Sequence, residues 1–61
     1  MTGKDLIKYL ERCGWKVLRV NGSHHRMGKA ELRTTIPVHG NRDIGKGLLA
    51  EIERQTGEKF K

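Results

Sequence analysis

Two adjacent histidines, His24 and His25, carry the side chains best suited to chemistry in this chain of 61 residues. An imidazole titrates near neutral pH, so it can take up or release a proton under physiological conditions. Arg19 and Arg26 lie on either side of the pair in the sequence and supply positive charge that attracts phosphate groups. Cleavage of an RNA strand requires a proton-transferring group beside fixed cations, so this segment is the first candidate for a catalytic site.

Each histidine also has a simpler interpretation. His24 could be a surface residue without a function, and His25 is more typical of a residue packed in a core. His39 is open to three interpretations: a second acid or base, an RNA contact, or a donor that stabilises a loop. A metal site built from these histidines is not expected, because neighbouring strand residues point to opposite faces and no carboxylate lies at ligand spacing. We therefore expect neither a metal nor a small-molecule cofactor.

A helix is the first element expected to support this segment. Apolar side chains recur at helical spacing within residues 4–13, at Leu6, Ile7, Leu10 and Cys13. Thr2 and Asp5 have the spacing of a capping box, with Asp5 in place of the usual Glu or Gln. Gly14 predicts a left-handed end to this helix.

Three strands are expected to follow this helix. The predicted strands cover residues 15–20, 23–27 and 32–38. Asn21 and Gly22 favour a two-residue type I′ turn between the first two strands, and residues 28–31 form the second turn. Pro37 ends the third strand because it has no N–H to donate to the ladder.

A second helix is expected near the end of the chain. Its apolar stripe consists of Ile44, Leu48, Leu49 and Ile52. We expect Asp43 to cap this helix and Gly57 to end it. The predicted architecture is an α+β fold in the order α-β-β-β-α, one domain over residues 1–61, with a three-stranded antiparallel sheet and both helices on one face. The other face is left open to solvent or to a ligand.

The predicted turn at Asn21 and Gly22 sets the strand register and so decides which side chains share a face. It places Arg19 opposite His24. The core face then carries Leu18, Val20, His25, Met27, Leu32, Thr34 and Ile36. The opposite face, which we call the open face, carries Arg19, His24, Arg26, Arg33 and Thr35, together with Val17. This register holds His24 on a rigid strand among arginines.

The charge balance indicates an anionic partner. Thirteen Lys and Arg residues against seven Asp and Glu residues give a net charge of +6, which favours a nucleic acid or an acidic protein. Lys46 lies in the first turn of the second predicted helix, where backbone N–H groups favour a phosphate. The single cysteine, Cys13, cannot form an internal disulfide, and neither a signal peptide nor a bilayer-spanning segment is expected. We therefore expect a cytoplasmic protein with no membrane partner.

Four short motifs follow one another along nearly the whole chain. They are Gly3-Lys4-Asp5-Leu6-Ile7 with Gly14-Trp15, then Gly22-Ser23-His24-His25, then Ile36-Pro37-Val38-His39, and finally Gly47-Leu48-Leu49 with Ile52, Gln55 and Gly57. In this order and spacing they resemble the HicA-type (YcfA-like) toxins of toxin–antitoxin systems. The resemblance implies a fold like the double-stranded-RNA-binding domain and a ribonuclease whose catalytic residue is His24, neutralised by a HicB-type antitoxin that covers this site. It also implies that His25 is not essential.

Together these features predict a metal-independent endoribonuclease that cleaves mRNA, with His24 as general acid or base. Asn21 and Gly22 form the turn that positions His24. The residues predicted to contact RNA phosphates are Arg19, Ser23, Arg26, Arg33 and Lys46. Two other functions stay open: a non-catalytic RNA-binding module of the same fold, which would bind RNA by its shape, and a basic partner of an acidic protein.

Overall fold

Along the chain, one helix precedes three consecutive strands and a second helix follows them. The computed structural model describes residues 1–60. The elements are α1 (Gly3–Arg12), β1 (Lys16–Asn21), β2 (His24–Lys29), β3 (Leu32–Pro37) and α2 (Lys46–Thr56). The strands form one antiparallel sheet in the order β1-β2-β3. This is the α-β-β-β-α order and the small α+β fold that the sequence predicts.

Helix α1 begins with the predicted capping box. The Thr2 hydroxyl accepts a hydrogen bond from the Asp5 N–H, and the Asp5 carboxylate accepts one from the Thr2 N–H, each at 3.2 Å. These bonds satisfy two N–H groups that would otherwise lack a partner at the helix start. Past its end, Gly14 has a φ of +99°, a left-handed conformation that favours glycine. Both predicted ends of this helix are therefore confirmed.

The turn between β1 and β2 differs from the predicted one by one residue. Asn21 pairs with His24, so the two turn residues are Gly22 and Ser23, not Asn21 and Gly22. Gly22 has a φ of +63°, and Ser23 is not among the residues with positive φ. A type II′ turn takes glycine at its first central position, which is the position of Gly22 here. The sequence contains overlapping Asn-Gly and Gly-Ser turn signals, and the second one determines the register.

A β-bulge corrects the predicted faces of β1. Arg19 pairs with Arg26, but Val17 pairs with Met27, so Leu18 is an extra residue between them. Leu18 was predicted in the core, yet it is 53% exposed, and its Cδ1 lies over Gly28 on the open face. Val17 was predicted on the open face, yet it lies opposite the buried Met27. The bulge exchanges the two because one extra residue reverses the alternation of side chains.

The turn between β2 and β3 is shorter than predicted. Residues 28 and 29 belong to β2, and Lys29 pairs with Leu32, which leaves Ala30 and Glu31 as the turn. Ala30 has a φ of +53°, a conformation that favours glycine. Further along β2 and β3, His25 pairs with Ile36 and Arg26 pairs with Thr35.

One apolar core lies between the helices and the sheet. The buried residues that form it are Leu6, Leu10, Trp15, Met27, Ile36, Ile44 and Ile52. Both helices pack against β3. By contrast, all six residues of β1, at the far edge of the sheet, are exposed. Val20 on β1 and Leu32 at the start of β3 were predicted in the core, but they are 56% and 47% exposed.

The start of α2 also differs from the prediction. Gly45 is the N-cap residue, and no side chain caps this end. Asp43, which was predicted to do so, instead lies 3.2 Å from the N-terminal ammonium of Met1. The end of α2 is as predicted, because Gly57 has a φ of +75° and its N–H donates to the Glu53 carbonyl at 2.8 Å. Within residues 1–60, neither helix has the length and apolar character needed to cross a membrane.

The segment after α2 folds back over the core. The indole N–H of Trp15 donates to the Glu58 carboxylate at 3.3 Å, and this bond holds the pKa of Glu58 below its usual value. The Tyr9 hydroxyl donates to the Lys59 carbonyl. The rings of Tyr9 and Phe60 meet edge to face with their centroids 5.4 Å apart. These contacts join α1 and Trp15, the residue before β1, to the segment after α2.

Candidate functional site

The exposed His24 is the first residue of β2, directly after the turn at Gly22 and Ser23. It is flanked by Asn21 on β1 and by Pro37 on β3. The Ser23 carbonyl accepts a hydrogen bond from the Val38 N–H at 2.7 Å, which ties the turn to the chain leaving β3. The backbone at His24 is therefore held on both sides, directly after a turn of Gly22 and Ser23 and not of the predicted Asn21 and Gly22.

The open face carries the predicted arginines. Arg19 and Arg26 are directly opposite each other, and Arg26 Nη1 donates to Thr35 Oγ1 at 3.2 Å. Arg33 Nη1 donates to the carbonyls of Ala30 and Leu32, at 2.9 and 2.7 Å. Within residues 1–60, no carboxylate lies within ion-pair distance of these three arginines. Their charge is thus available for an anionic ligand.

Two depressions meet at His24. The first, the hairpin depression, has a volume of about 320 Å³ and is lined by Arg19, Asn21, His24, Arg26 and Thr35. The second, the β3–α2 cleft, has a volume of about 400 Å³, and its lining includes His24, Arg26, Thr34, Leu48, Glu51 and Gln55. His24 and Arg26 line both, so a ligand at His24 has a cationic surface on one side and the surface of α2 on the other.

His25 lies away from this site. It is opposite Val20 and Ile36 on the face that the helices cover. It is half-buried, and among the described residues its buried Nδ1 has no hydrogen-bond partner. This position agrees with the interpretation of His25 as a packed residue.

Other predicted residues have different positions. Lys46 is the first residue of α2, as predicted, but it lines a separate depression together with Glu53 and Phe60. His39 lines a fourth depression, beside Arg42 and Pro37. Ser23 is half-buried in the turn next to His24. The structure therefore brings Arg19 and Arg26 to His24 and does not bring Lys46 there.

The residues described hold no cluster of three or more His, Cys, Asp or Glu side chains that could bind a metal ion. Cys13 lies against the core, where burial raises the pKa of its thiol. A raised pKa keeps a thiol protonated at neutral pH, which is typical of a packing residue and not of a nucleophile.

Residues of α2 are the part of this surface that the sequence reasoning missed. Leu48, Glu51 and Gln55 line the β3–α2 cleft. Their spacing of three and four residues places them on one face of a helix. That spacing was visible in the sequence, but the strand pattern around His24 gave no reason to connect it with the histidine.

The sequence of this chain matches a known protein family. Residues 3–58 match a family model described as the HicA toxin of bacterial toxin–antitoxin systems. The chain belongs to the HicA toxin family. The match begins with α1 and extends past the end of α2, so it includes His24 and every helix and strand of this HicA protein. Membership makes the chain a toxin of a toxin–antitoxin system and implies an antitoxin partner. Comparisons with curated proteins and with solved structures found no match.

Proposed function

We propose that this HicA-family toxin is an endoribonuclease that cleaves mRNA without a metal ion, with His24 as general acid or base. The observation that carries the proposal is the placement of an exposed histidine beside arginines that lack acidic partners in the described chain. Family membership supplies the biological setting, a toxin that an antitoxin must restrain.

The reaction needs proton transfer and charge stabilisation. The ribose 2′-OH attacks the neighbouring phosphorus, so a 2′-O–P bond forms and the P–O5′ bond breaks. One proton leaves the 2′-OH and another joins the 5′ oxygen, and the His24 imidazole carries out one of these transfers. Arg19 and Arg26 stabilise the negative charge that gathers on the phosphorane. Solvent water gives or accepts the other proton, so His24 and the arginine cations support this chemistry without a metal.

The remaining basic residues have supporting positions in this proposal. Arg33 lies on the same face and would contact a phosphate further along the strand, and Ser23 would contact the phosphate nearest the turn. Lys46 lies outside both depressions at His24, so it would contact RNA beyond the cleavage site. General acid–base catalysis supplies about 10²–10⁴-fold, so modest turnover is expected.

His24→Ala provides the test. We expect the variant to lose at least about a hundredfold in the cleavage of labelled RNA in EDTA, because the proton-transferring group is gone. Its melting temperature should stay close to that of the wild type, since His24 is exposed. Growth inhibition on expression should be lost in parallel.

Two results would contradict the proposal. Cleavage at the wild-type rate by His24→Ala would show that His24 is not the catalytic group. Retention of RNA by the wild type without any products would favour a non-catalytic RNA-binding module.

We further propose that the antitoxin is of the HicB type and covers the open face. An acidic surface placed there would pair with Arg19, Arg26 and Arg33 and exclude RNA from His24. RNA and antitoxin would then compete for the same cations, and both associations would weaken as salt increases.

A further inference from the structure

We propose that the β3–α2 cleft binds the nucleobase next to the cleaved phosphate and favours bases that carry an exocyclic amino group over uracil. This inference rests on the proposed ribonuclease function and concerns the substrate preference of the same site. Its basis is a carboxylate and an amide that line this cleft together with His24 and are held in fixed positions by hydrogen bonds.

The cleft has the size and position that a nucleotide needs. Its volume of about 400 Å³ lies in the usual range for small-ligand sites. His24 and Arg26 line one part of it, so a nucleotide whose phosphate lies there can extend towards α2. Leu48, which is 41% exposed, and the half-buried Pro37 give the cleft an apolar surface for the flat side of a base.

The polar groups of the cleft are held in place by hydrogen bonds. Thr34, which is 2% exposed, donates from its hydroxyl to Gln55 Oε1 at 2.8 Å. Gln55 Nε2 in turn donates to Glu51 Oε2 at 3.1 Å. A chain of bonds from a buried threonine therefore fixes the orientation of the amide and of the carboxylate before any ligand arrives, which lowers the cost of binding.

Glu51 gives the cleft its chemical preference. Arg54 Nη2 donates to Glu51 Oε2 at 2.5 Å, and this bond holds the pKa of Glu51 below its usual value. The carboxylate is therefore ionised at neutral pH and can only accept hydrogen bonds. Both bonds within the described residues use Oε2, which leaves Oε1 for a ligand.

A carboxylate that only accepts hydrogen bonds distinguishes the bases by the donors and acceptors on their edges. Adenine, cytosine and guanine each carry an amino group that can donate to a carboxylate. Uracil has carbonyl oxygens on both sides of its single ring N–H, and these repel the carboxylate. Cytosine and uracil are the sharpest comparison, because they have the same ring size and differ at this edge.

The first experiment measures binding and does not depend on cleavage. Short cytidine and uridine oligomers of equal length are titrated against the His24→Ala protein, which should bind without cutting. We expect the cytidine oligomer to bind about tenfold more tightly, the ratio expected for one charge-assisted hydrogen bond. Adding Glu51→Gln should reduce that ratio to about one, since an amide can donate to uracil as well as accept.

The matched control is Glu11→Gln, which removes the same charge from an exposed position on α1. It should strengthen binding of both oligomers equally and leave their ratio unchanged. If Glu51→Gln changes the ratio no more than Glu11→Gln does, the base-binding cleft is wrong.

The second experiment maps cut sites of the cleaving protein in a random-sequence RNA. We expect uracil to be depleted about tenfold at one position beside the cut, and Glu51→Gln to abolish this depletion. A wild type that never cleaves, but prefers the cytidine oligomer in the binding experiment, would contradict the ribonuclease and support the cleft. Cleavage with an unchanged pattern in Glu51→Gln would overturn the cleft and keep the ribonuclease.

Discussion

At the scale of single residues, two neighbouring histidines have different surroundings because strand residues alternate between the faces of a sheet. His24 is exposed beside Arg26 and Arg19, where a phosphate can reach it. His25 lies opposite Ile36, and its buried ring nitrogen has no partner within residues 1–60. The same residue type is thus suited to catalysis in one position and to packing in the next.

His25→Leu tests this difference. We expect RNA cleavage within about twofold of the wild type, because His25 does not reach the open face. Stability should be unchanged or higher by up to about 1 kcal/mol, because a buried polar atom without a partner is replaced by an apolar group. Cleavage assays and thermal melts measure the two effects. A loss of cleavage as large as that of His24→Ala would refute the separation of the two histidines.

The positions of Arg19, His24 and Arg26 on the open face could be predicted from the sequence although the turn was placed wrongly, whereas those of Val17 and Leu18 could not. The true turn shifts the pairing of Arg19 by two residues, from His24 to Arg26, and a shift of two keeps a side chain on its face. Glu51 and Gln55 could not be connected with His24 in this way. Their place in the cleft depends on how α2 packs against β3, which strand periodicity does not describe.

At the scale of elements, the helices and strands were predictable because each has its own periodicity and end signals. The capping box of α1 and the left-handed Gly57 after α2 are local features that depend on a few neighbouring residues. The bulge at Leu18 has no such local signal. The bulge depends on how β1 pairs with β2. The exposure of Val20 likewise depends on the position of β1 at the edge of the sheet.

The turn between β2 and β3 gives a prediction about stability. Ala30 has a φ of +53°, where an L-residue other than glycine is disfavoured by about 1–2 kcal/mol. We expect Ala30→Gly to increase the free energy of unfolding by about 1 kcal/mol, since glycine removes most of this strain. Urea unfolding followed by circular dichroism measures the change.

Ala50→Gly is the matched control. Ala50 is exposed within α2, where glycine destabilises by about 1 kcal/mol. The same substitution should therefore raise the free energy of unfolding at position 30 and lower it at position 50. A lower unfolding midpoint for Ala30→Gly would show that the turn is not strained.

At the scale of the whole molecule, two carboxylates hold parts of the fold in place, Asp5 at the start of α1 and Glu58 after α2. The Asp5 carboxylate accepts a hydrogen bond from the Thr2 N–H. The Glu58 carboxylate accepts one from the indole N–H of Trp15 and lies 3.5 Å from the Lys29 ammonium. These hydrogen bonds lower the pKa of both carboxyl groups. The folded protein therefore binds fewer protons than the unfolded chain in mildly acidic solution.

Acid should destabilise the fold for this reason. A group whose pKa is lowered in the folded state stabilises it above the unfolded pKa, and this contribution is lost as pH falls through the folded pKa. We expect the urea midpoint to be constant near neutral pH and to fall as the pH drops below about 4.5, the ordinary pKa of glutamate. Glu58→Gln should reduce the size of this fall, because its amide does not titrate. An equal midpoint at neutral and at acidic pH would contradict the prediction.

Trp15 is the single tryptophan of the chain, and its buried ring bonds to Glu58 on the segment after α2. Its fluorescence is therefore an intrinsic optical reporter of whether that segment is docked. Trp15 does not line either depression at His24. RNA bound there should leave the emission nearly unchanged, whereas detachment of the last residues should shift it to longer wavelength. Ligand occupancy and fraying of the chain end can thus be followed as separate signals in one unlabelled sample.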